Sequence, residues 1–230
     1  MNTGDRRARE RLGVQEKILG AARELFIERG YQAVTMRQIA DAIEYTPGAI
    51  YVYFKDKQEL MLALCRHDFA SFEQALHDIA RDEPNPLAKI NKMGEAYLHF
   101  AHTHPRHYEL MFMTKFPPGV QLSPEEIARL QDPNVNAYAF LAQCVHQAMS
   151  QGLLRSELTD PLLITQTLWA GMHGVATIGI TFAEDPTLQL VKPHHKASAE
   201  MRRTLLLGLV RDPILVAPLF AHARGPGGAL

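Results

Sequence analysis

The chain has 230 residues, with 24 Lys and Arg against 25 Asp and Glu, and 47% of its residues are hydrophobic. This length suits one large domain or two small ones, and the composition excludes a disordered chain. Only two cysteines, Cys65 and Cys144, are present, which excludes a disulfide framework, argues against a thiolate zinc site and fits a reducing cytoplasm. The N-terminus is charged throughout, so we expect a cytoplasmic protein without a secretory signal.

The charges are unevenly distributed along the chain. Residues 1–57 carry ten Lys and Arg against eight Asp and Glu, whereas the remaining residues carry fourteen against seventeen. The sign of this asymmetry is the one expected if the N-terminal part contacts phosphate.

Apolar residues recur at helical spacing almost throughout the chain, and little of it alternates as strands do. We therefore predict an all-α fold of nine or ten helices. In the N-terminal part, a helix from Val14 is predicted to end at Gly30. Three later helix starts are indicated by a capping box at Thr35-Met-Arg-Gln38, a capping hydroxyl before proline at Thr46-Pro47, and a further cap at Asp56-Lys-Gln-Glu59. Two short helices, 35–42 and 46–53, are thereby predicted ahead of a longer one.

Proline-containing starts mark the later helices, at Asn85-Pro86, Pro105, Ser123-Pro124 and Asp160-Pro161. A last helix is predicted over residues 197–211, and the tail from Ala221 is expected to be disordered. Residues 161–183 carry no Asp, Glu, Lys or Arg, and a segment of that length can span a bilayer. Its polar residues and the lack of a flanking basic cluster favour a buried core or interface helix instead, and we expect no membrane partner.

Two short helices joined by about four residues, after a longer supporting helix, form a helix-turn-helix pattern whose second helix can enter the DNA major groove. Residues 14–62 also resemble the TetR (tetracycline repressor-like) family of transcriptional regulators. The resemblance is carried by Ile18-Leu19, Ala21-Ala22, Leu25-Phe26, Gly30-Tyr31, Thr35, Ile39-Ala40, Gly48 to Phe54, Lys55, Lys57 and Leu60. It implies an N-terminal three-helix DNA-binding domain, residues 1–57, and a C-terminal helical-bundle domain, residues 58–230, for ligand binding and dimerisation.

The resemblance also implies a set of DNA contacts. The residues nearest the bases would be Arg37, Pro47, Gly48 and Ala49, and those serving phosphates would be Thr35, Thr46, Tyr51, Tyr53, Lys55 and Lys57. Small residues let the backbone approach base edges, and Arg37 is long enough to bind a guanine edge bidentately. Tyr51 has a second interpretation, in which its ring packs on the first helix. The basic arm from Arg6 to Arg11 either enters a minor groove or is a flexible end.

One position departs from the family's pattern. Where the family usually has glycine in the turn, this chain has Glu44. A non-glycine residue with positive φ costs about 1 kcal/mol, so either the turn is reshaped here or Glu44 tolerates the strain.

The C-terminal part resembles a subgroup of the same family, whose regulatory domain bears a tryptophan-x-x-x-histidine-glycine signature, here Trp169 to Gly174. Such a domain dimerises through its last two long helices and binds an inducer. We expect a hydrophobic or aromatic effector, for which the candidate binding residues are Tyr97, Phe100, Tyr108, Met111, Phe116, Tyr138, Trp169 and His173. Plain core packing is the alternative for each of them.

A second hypothesis is a helical metal-binding protein that uses four histidines within nine positions, namely His99, His102, His104 and His107. A third is a membrane-anchored helical protein. No phosphate loop, nucleophile elbow or catalytic triad is recognisable, so we expect no enzyme and no cofactor. The sequence therefore predicts a homodimeric regulator that binds a palindromic operator in double-stranded DNA, most simply as a repressor released by a small-molecule effector.

Overall fold

The computed structural model describes residues 3–80, 82–114, 123–182 and 194–223. Its α-helices are α1 (Thr3–Arg29), α2 (Met36–Ala42), α3 (Pro47–Tyr51), α4 (Lys57–Ala80), α5 (Pro86–Thr103), α6 (Pro105–Tyr108), α7 (Pro124–Gln131), α8 (Ala137–Ser150), α9 (Pro161–Thr181) and α10 (His194–Leu209). A π-helical turn, Glu109–Met113, follows α6, and two 3-10 segments, Pro213–Leu215 and Ala217–Ala223, follow α10. The all-α prediction is confirmed, since these residues form no strand, only one isolated bridge between Leu154 and Val210.

The chain divides into two compact units. The first runs to Ser71 and also takes in the segment that begins at His104, whereas the second contains Phe72–Thr103 and the chain from Ser123 onward. Lys57, where we predicted the functional boundary, is the first residue of α4 and lies inside the first unit.

Helix α1 begins well before the predicted start at Val14. Residues Arg6 to Arg11 are helical, and the guanidinium of Arg6 lies 3.3 Å from the carboxylate of Glu10 one turn later. Opposite charges four residues apart stabilise a helix, which explains why the basic N-terminal segment continues α1. The end of α1 is as predicted, with Gly30 at φ +77° and its N–H donating to the carbonyl of Phe26 at 3.0 Å.

The capping box that starts α2 is confirmed. The Thr35 hydroxyl accepts from the N–H of Gln38 at 3.2 Å, and the Gln38 side chain accepts from the N–H of Thr35 at 2.8 Å. The prediction for α3 is only half right. Thr46 is its N-cap residue and Pro47 opens the helix, but the Thr46 hydroxyl makes no capping hydrogen bond.

The turn between α2 and α3 is a Schellman motif built on Glu44. The N–H of Tyr45 donates to the carbonyl of Ala40 at 2.9 Å, and the N–H of Glu44 donates to that of Asp41 at 3.2 Å. Glu44 has φ +61°, and it is the only non-glycine residue with positive φ in the described part of the chain. The turn is therefore not reshaped, and Glu44 occupies the strained conformation that favours glycine.

The core of the first unit joins α1, α2, α3 and α4. Its fully buried members include Ile18, Phe26, Ile39, Ile50, Leu60 and Leu64. Inside the same unit, Arg23 of α1 donates two hydrogen bonds to Asp68 of α4, Nε to Oδ2 at 3.0 Å and Nη2 to Oδ1 at 2.6 Å. The Asp68 side chain is fully buried, so this bidentate pair fixes α1 against α4 in one register.

The second unit is a helical bundle in which α5 packs against α8, α9 and α10. Asp160 caps α9 as predicted, because its carboxylate accepts from the N–H groups of Leu162 and Leu163 at 2.9 and 3.1 Å. A Cβ at Gly171 would lie 2.7 Å from Cδ1 of Leu205, so the absence of a side chain at this position lets α9 and α10 approach closely within one chain. The tail beyond Ala223 lies outside the described residues.

The charge-free segment that we weighed as a bilayer span is helix α9 of this bundle. Among the described residues, no helix combines the length and the apolar character that crossing a membrane requires.

Glu44→Gly should raise the stability of the protein, because glycine adopts positive φ without the clash of a Cβ. We expect a gain of about 1 kcal/mol in the free energy of unfolding. Glu44→Ala is the matched control, since it removes the same charge but keeps the Cβ and the strain. Thermal denaturation of both variants checks this; a melting temperature for Glu44→Gly no higher than that of Glu44→Ala would contradict it.

Candidate nucleic-acid interface and effector site

Helix α3 presents one face to solvent because its opposite face is fixed in the core. Ile50 is fully buried, and Phe54, one turn later, is buried with it. Successive residues of a helix are about 100° apart, so Gly48 and Val52 lie opposite Ile50, and Tyr51, which is also exposed, lies to one side of them. We call these three residues the α3 outer face.

The α3 outer face is small at its centre and bulky at its edges. An added Cβ at Gly48 would meet nothing within 4 Å, so this position is open to solvent. The Tyr51 side chain is 53% exposed, which argues against the interpretation that its ring packs on the first helix. Pro47 and Ala49 lie half-buried beside the face. A surface of this shape lets the backbone of α3 approach a flat partner closely.

Arg37 and Thr35 lie at the start of α2. The Arg37 side chain is 80% exposed, and its Nε is 3.9 Å from the carboxylate of Asp41, a weak contact in water. Its guanidinium is therefore accessible to a partner, and the contact with a base edge stays a prediction. Thr35 is exposed, but its hydroxyl already pairs with the Gln38 side chain at 3.1 Å, so any phosphate contact would share that hydroxyl.

The two lysines of the predicted phosphate set differ sharply. Lys55 is exposed, and only its backbone N–H is used locally, in a bond to the Glu59 carboxylate at 2.7 Å. The Lys57 ammonium instead donates to the carbonyls of Tyr31 and Val34, each at 2.7 Å, and to that of Gln32 at 3.4 Å. Burial lowers the pKa of Lys57. These contacts give Lys57 a structural role at the end of α1 and use its N–H donors, so the predicted phosphate contact would have to share them and stays a prediction.

Tyr53 also contributes to packing. Its ring is half-buried against the core of the first unit, and the guanidinium of Arg11 lies 5.9 Å from the ring centre. Arg11, in the helical extension of α1, is thereby held beside the segment that follows α3. Because the ring of Tyr53 is half-buried, only its hydroxyl group would contact a phosphate. This contact stays a prediction.

Sequence reasoning missed two features of this unit. It did not single out Val52, whose exposed position follows from its place one helical turn after Gly48. It also missed the Arg23–Asp68 pair, because residues 45 positions apart give no local signal of their contact.

Five of the eight candidate effector residues lie in the second unit. Tyr97 and Phe100 are on α5, Tyr138 is on α8, and Trp169 and His173 are on α9. Four of them are in direct contact, since Tyr138 packs edge-on against Trp169, with ring centres 5.9 Å apart, and Tyr97 bonds to both α9 residues. Phe100 joins them through Phe72, whose ring packs against both Phe100 and Tyr97.

A chain of polar contacts runs through this cluster. The Trp169 indole N–H donates to the Tyr97 hydroxyl at 3.2 Å, and that hydroxyl is 3.3 Å from Nδ1 of His173. The other ring nitrogen of His173 lies 3.4 Å from the Thr177 hydroxyl. Burial lowers the pKa of His173, which keeps its ring neutral at pH 7. The cluster thus offers an aromatic surface whose polar groups are already paired with one another.

The remaining candidates lie elsewhere. Tyr108 and Met111 are buried in the first unit, where Tyr108 packs against Phe112 at 4.8 Å between ring centres. Phe116 lies outside the described residues. Their assignment to an effector site stays a prediction.

The histidine hypothesis finds no support. His99 and His102 are exposed on α5 in the second unit, whereas His104 and His107 belong to the first. Across the described ranges, no group of three or more His, Cys, Asp or Glu side chains is placed to hold a metal ion.

Two family matches cover most of the chain. Residues 18–64 match the bacterial regulatory proteins of the tetR family, and residues 90–208 match the tetracyclin repressor-like C-terminal domain. The first match contains α2, the Glu44 turn and α3. The second contains Tyr97, Tyr138, Trp169 and His173.

Individual relatives match the chain over segments of different length. The transcriptional repressor AcnR of Corynebacterium diphtheriae is 37% identical over 73 residues, 30% of this chain and 38% of AcnR. The chain thus matches little more than a third of the length of such curated relatives. The structure of the SmeT–triclosan complex has a TM-score of 0.66 at 20% identity, covering 95% of this chain and 99% of SmeT. That of AibR with isovaleryl coenzyme A and operator DNA has the same score and identity, covering 84% and 97%. At this identity the structures establish the fold.

Lys57→Ala should lower the free energy of unfolding by about 1–3 kcal/mol, because the carbonyls it bonds would lose a charged donor. Lys55→Ala is the comparison variant. It should leave stability unchanged but weaken binding to every DNA duplex and reduce the salt dependence of affinity by about one unit of slope. Urea denaturation and binding titrations at several salt concentrations measure both effects. Equal stability losses in the two variants would refute the distinction.

Gly48→Ala should leave the fold intact, since the added methyl group meets open space and alanine favours a helix. It should nevertheless weaken DNA binding about tenfold or more, because the methyl group separates α3 from the base edges. Gly20→Ala on α1 is the matched control, as that position is also open. Circular dichroism and fluorescence anisotropy distinguish the two outcomes; full DNA affinity in Gly48→Ala would remove the close-approach argument.

Proposed function

The chain belongs to the tetR family of bacterial regulatory proteins, and from this premise we propose that it is a DNA-binding transcriptional repressor released by a small effector. The observation that carries the proposal is the α3 outer face, presented by a helix-turn-helix whose Glu44 turn and capping box are both formed. The centre of this face is small and uncharged, as close approach to base edges in a DNA groove requires. Arg37 and Lys55 are exposed nearby, where the phosphates that border the groove would lie. The site of action would be the cytoplasm.

We propose further that the protein acts as a homodimer through α9 and α10. Helix α9 has 21 residues and no charged side chain, yet one side of it is exposed. Leu163, Thr167, Ala170, Gly174 and Ile178 follow one another along that side, and Leu207 of α10 is also exposed. An uncharged, mainly apolar stripe of this length supports an interface with a second copy. A two-fold dimer would read a palindrome whose half-sites lie about 34–36 Å apart.

The effector would bind at the aromatic cluster of Tyr97, Tyr138, Trp169 and His173. Because the polar groups of the cluster are already paired, the free surface it offers is aromatic, which supports a hydrophobic or aromatic ligand. The complex of SmeT with triclosan, an aromatic molecule, supports such a ligand for a protein of this fold, and that of AibR with isovaleryl coenzyme A supports small-molecule binding in general. The effector would favour dimers whose α3 helices no longer match successive grooves.

Selection of genomic fragments by the purified protein, at two salt concentrations, tests the proposal. An enriched palindrome that is retained at the higher salt is expected, because base contacts persist where phosphate contacts weaken. The selection is repeated with protein unfolded and refolded without ligand, which removes an effector that has co-purified. A folded, ligand-free protein that enriches no sequence at either salt would contradict the function.

Arg37→Ala should weaken binding to the selected operator by about 1–3 kcal/mol and relax the base preference at one position per half-site. The reason is that a guanidinium can bond both acceptors of a guanine edge. Competition titrations against operators that differ at single positions measure this. A uniform loss on all duplexes would instead assign Arg37 to phosphate.

A further inference from the structure

The C-terminal end of α3 carries an aliphatic side chain that no packing interaction explains. Val52 is 71% exposed, as is Ile214, and no large hydrophobic side chain in the described part of the chain is more exposed. It is the C-cap residue of α3, with φ −69° and ψ −25°, so it continues the helical path. Val52 is four positions after Gly48, and it therefore lies on the same side of α3.

The chemistry around Val52 limits what can cover it. The α3 outer face has no charged or amide side chain, so it offers methyl groups, a phenol ring with its hydroxyl, and bare backbone. Arg37 and Lys55 are exposed in the flanking segments, beside the equally exposed Asp41, Glu44 and Asp56, so they supply individual cations for phosphates rather than a continuous basic patch. In a DNA major groove, the one apolar group on a base edge is the 5-methyl group of thymine.

We propose that Val52 packs against the 5-methyl group of a thymine in each operator half-site and thereby sets base preference without a hydrogen bond. The proposal rests on the DNA-binding function proposed above and specifies how its operator is recognised. Gly48 allows the approach, because an added methyl group there would stand between the helix and the bases, and Tyr51 borders the same contact. The operator is then expected to carry an invariant thymine at the same place in both halves.

Replacement of single thymines by deoxyuridine tests this, since the exchange removes only the methyl group and keeps every hydrogen-bonding atom. The probe is the duplex obtained by genomic selection, with each thymine replaced in turn and symmetrically in both halves. With the unmodified protein, one thymine per half-site should be sensitive. Replacing the sensitive thymine in one half-site should lower the affinity about fourfold, the equivalent of one buried methyl group. Replacing it in both half-sites should lower the affinity about fifteenfold.

Val52→Ala completes a double-mutant cycle with the same duplexes. It should weaken binding to the thymine operator and remove the effect of deoxyuridine at the sensitive position, because the two groups contact each other. Ile214→Ala is the control, since Ile214 is equally exposed but lies in the second unit. It should leave both the affinity and the deoxyuridine effect unchanged. Because Val52 is exposed, the alanine variant is expected to fold normally, which circular dichroism verifies.

Each other result overturns the proposal in a recognisable way. Deoxyuridine without effect at every thymine excludes methyl recognition. A deoxyuridine effect that persists in Val52→Ala assigns the methyl contact to another residue. A Val52→Ala protein that binds normally but changes its oligomeric state assigns Val52 to an interface between protein chains. Enrichment of no duplex at all is a different failure, since it contradicts the proposed function itself.

Discussion

The burial of Ile50 is the constraint on which the DNA-binding surface depends. Helix α3 has five residues, and a helix of that length is not stable alone in water. Its position and its rotation about its own axis are therefore set by the side chain that it buries. With Ile50 and Phe54 in the core, Gly48, Tyr51 and Val52 face outward together. A shift of one residue would turn α3 by about 100° and replace that face by another.

Electrostatic contacts hold the frame around α3 in place. The Arg23–Asp68 pair joins α1 to α4, and the Lys57 ammonium ties the start of α4 to three carbonyls beyond the end of α1. Removing one partner of a buried ion pair leaves an uncompensated charge, so such a pair tolerates little change in register. Arg37 and Lys55 remain exposed on the segments that flank α3. The same unit thus uses some basic residues for its own structure and leaves others for a polyanion.

The fold could be predicted largely from the sequence because its signals are local. The Thr35–Gln38 box, Gly30 and Asp160 each specify a helix end through contacts within a few residues, and all three are formed. The left-handed turn at Glu44 was one of two alternatives, because the family pattern places glycine there and the sequence alone left a reshaped turn equally open. The role of Lys57, the pairing of Asp68 and the exposure of Val52 depend on residues distant in sequence or on rotation about a helix. The spacing of residues along the sequence does not contain that information. At Thr46 even a local prediction failed in part, because α3 begins without a capping hydrogen bond from the hydroxyl and Pro47 fixes φ at its first position.

Photo-cross-linking from the operator tests most directly whether the α3 outer face contacts DNA. 5-Iododeoxyuridine occupies the place of thymine with little change in size and cross-links to nearby aromatic side chains on irradiation. It would replace each thymine of the selected duplex in turn, and mass spectrometry of the digested full-length protein would identify the attached residue. We expect attachment to Tyr51 from one position in each half-site. Cross-links that form only outside residues 35–57 would contradict contact between the α3 outer face and DNA.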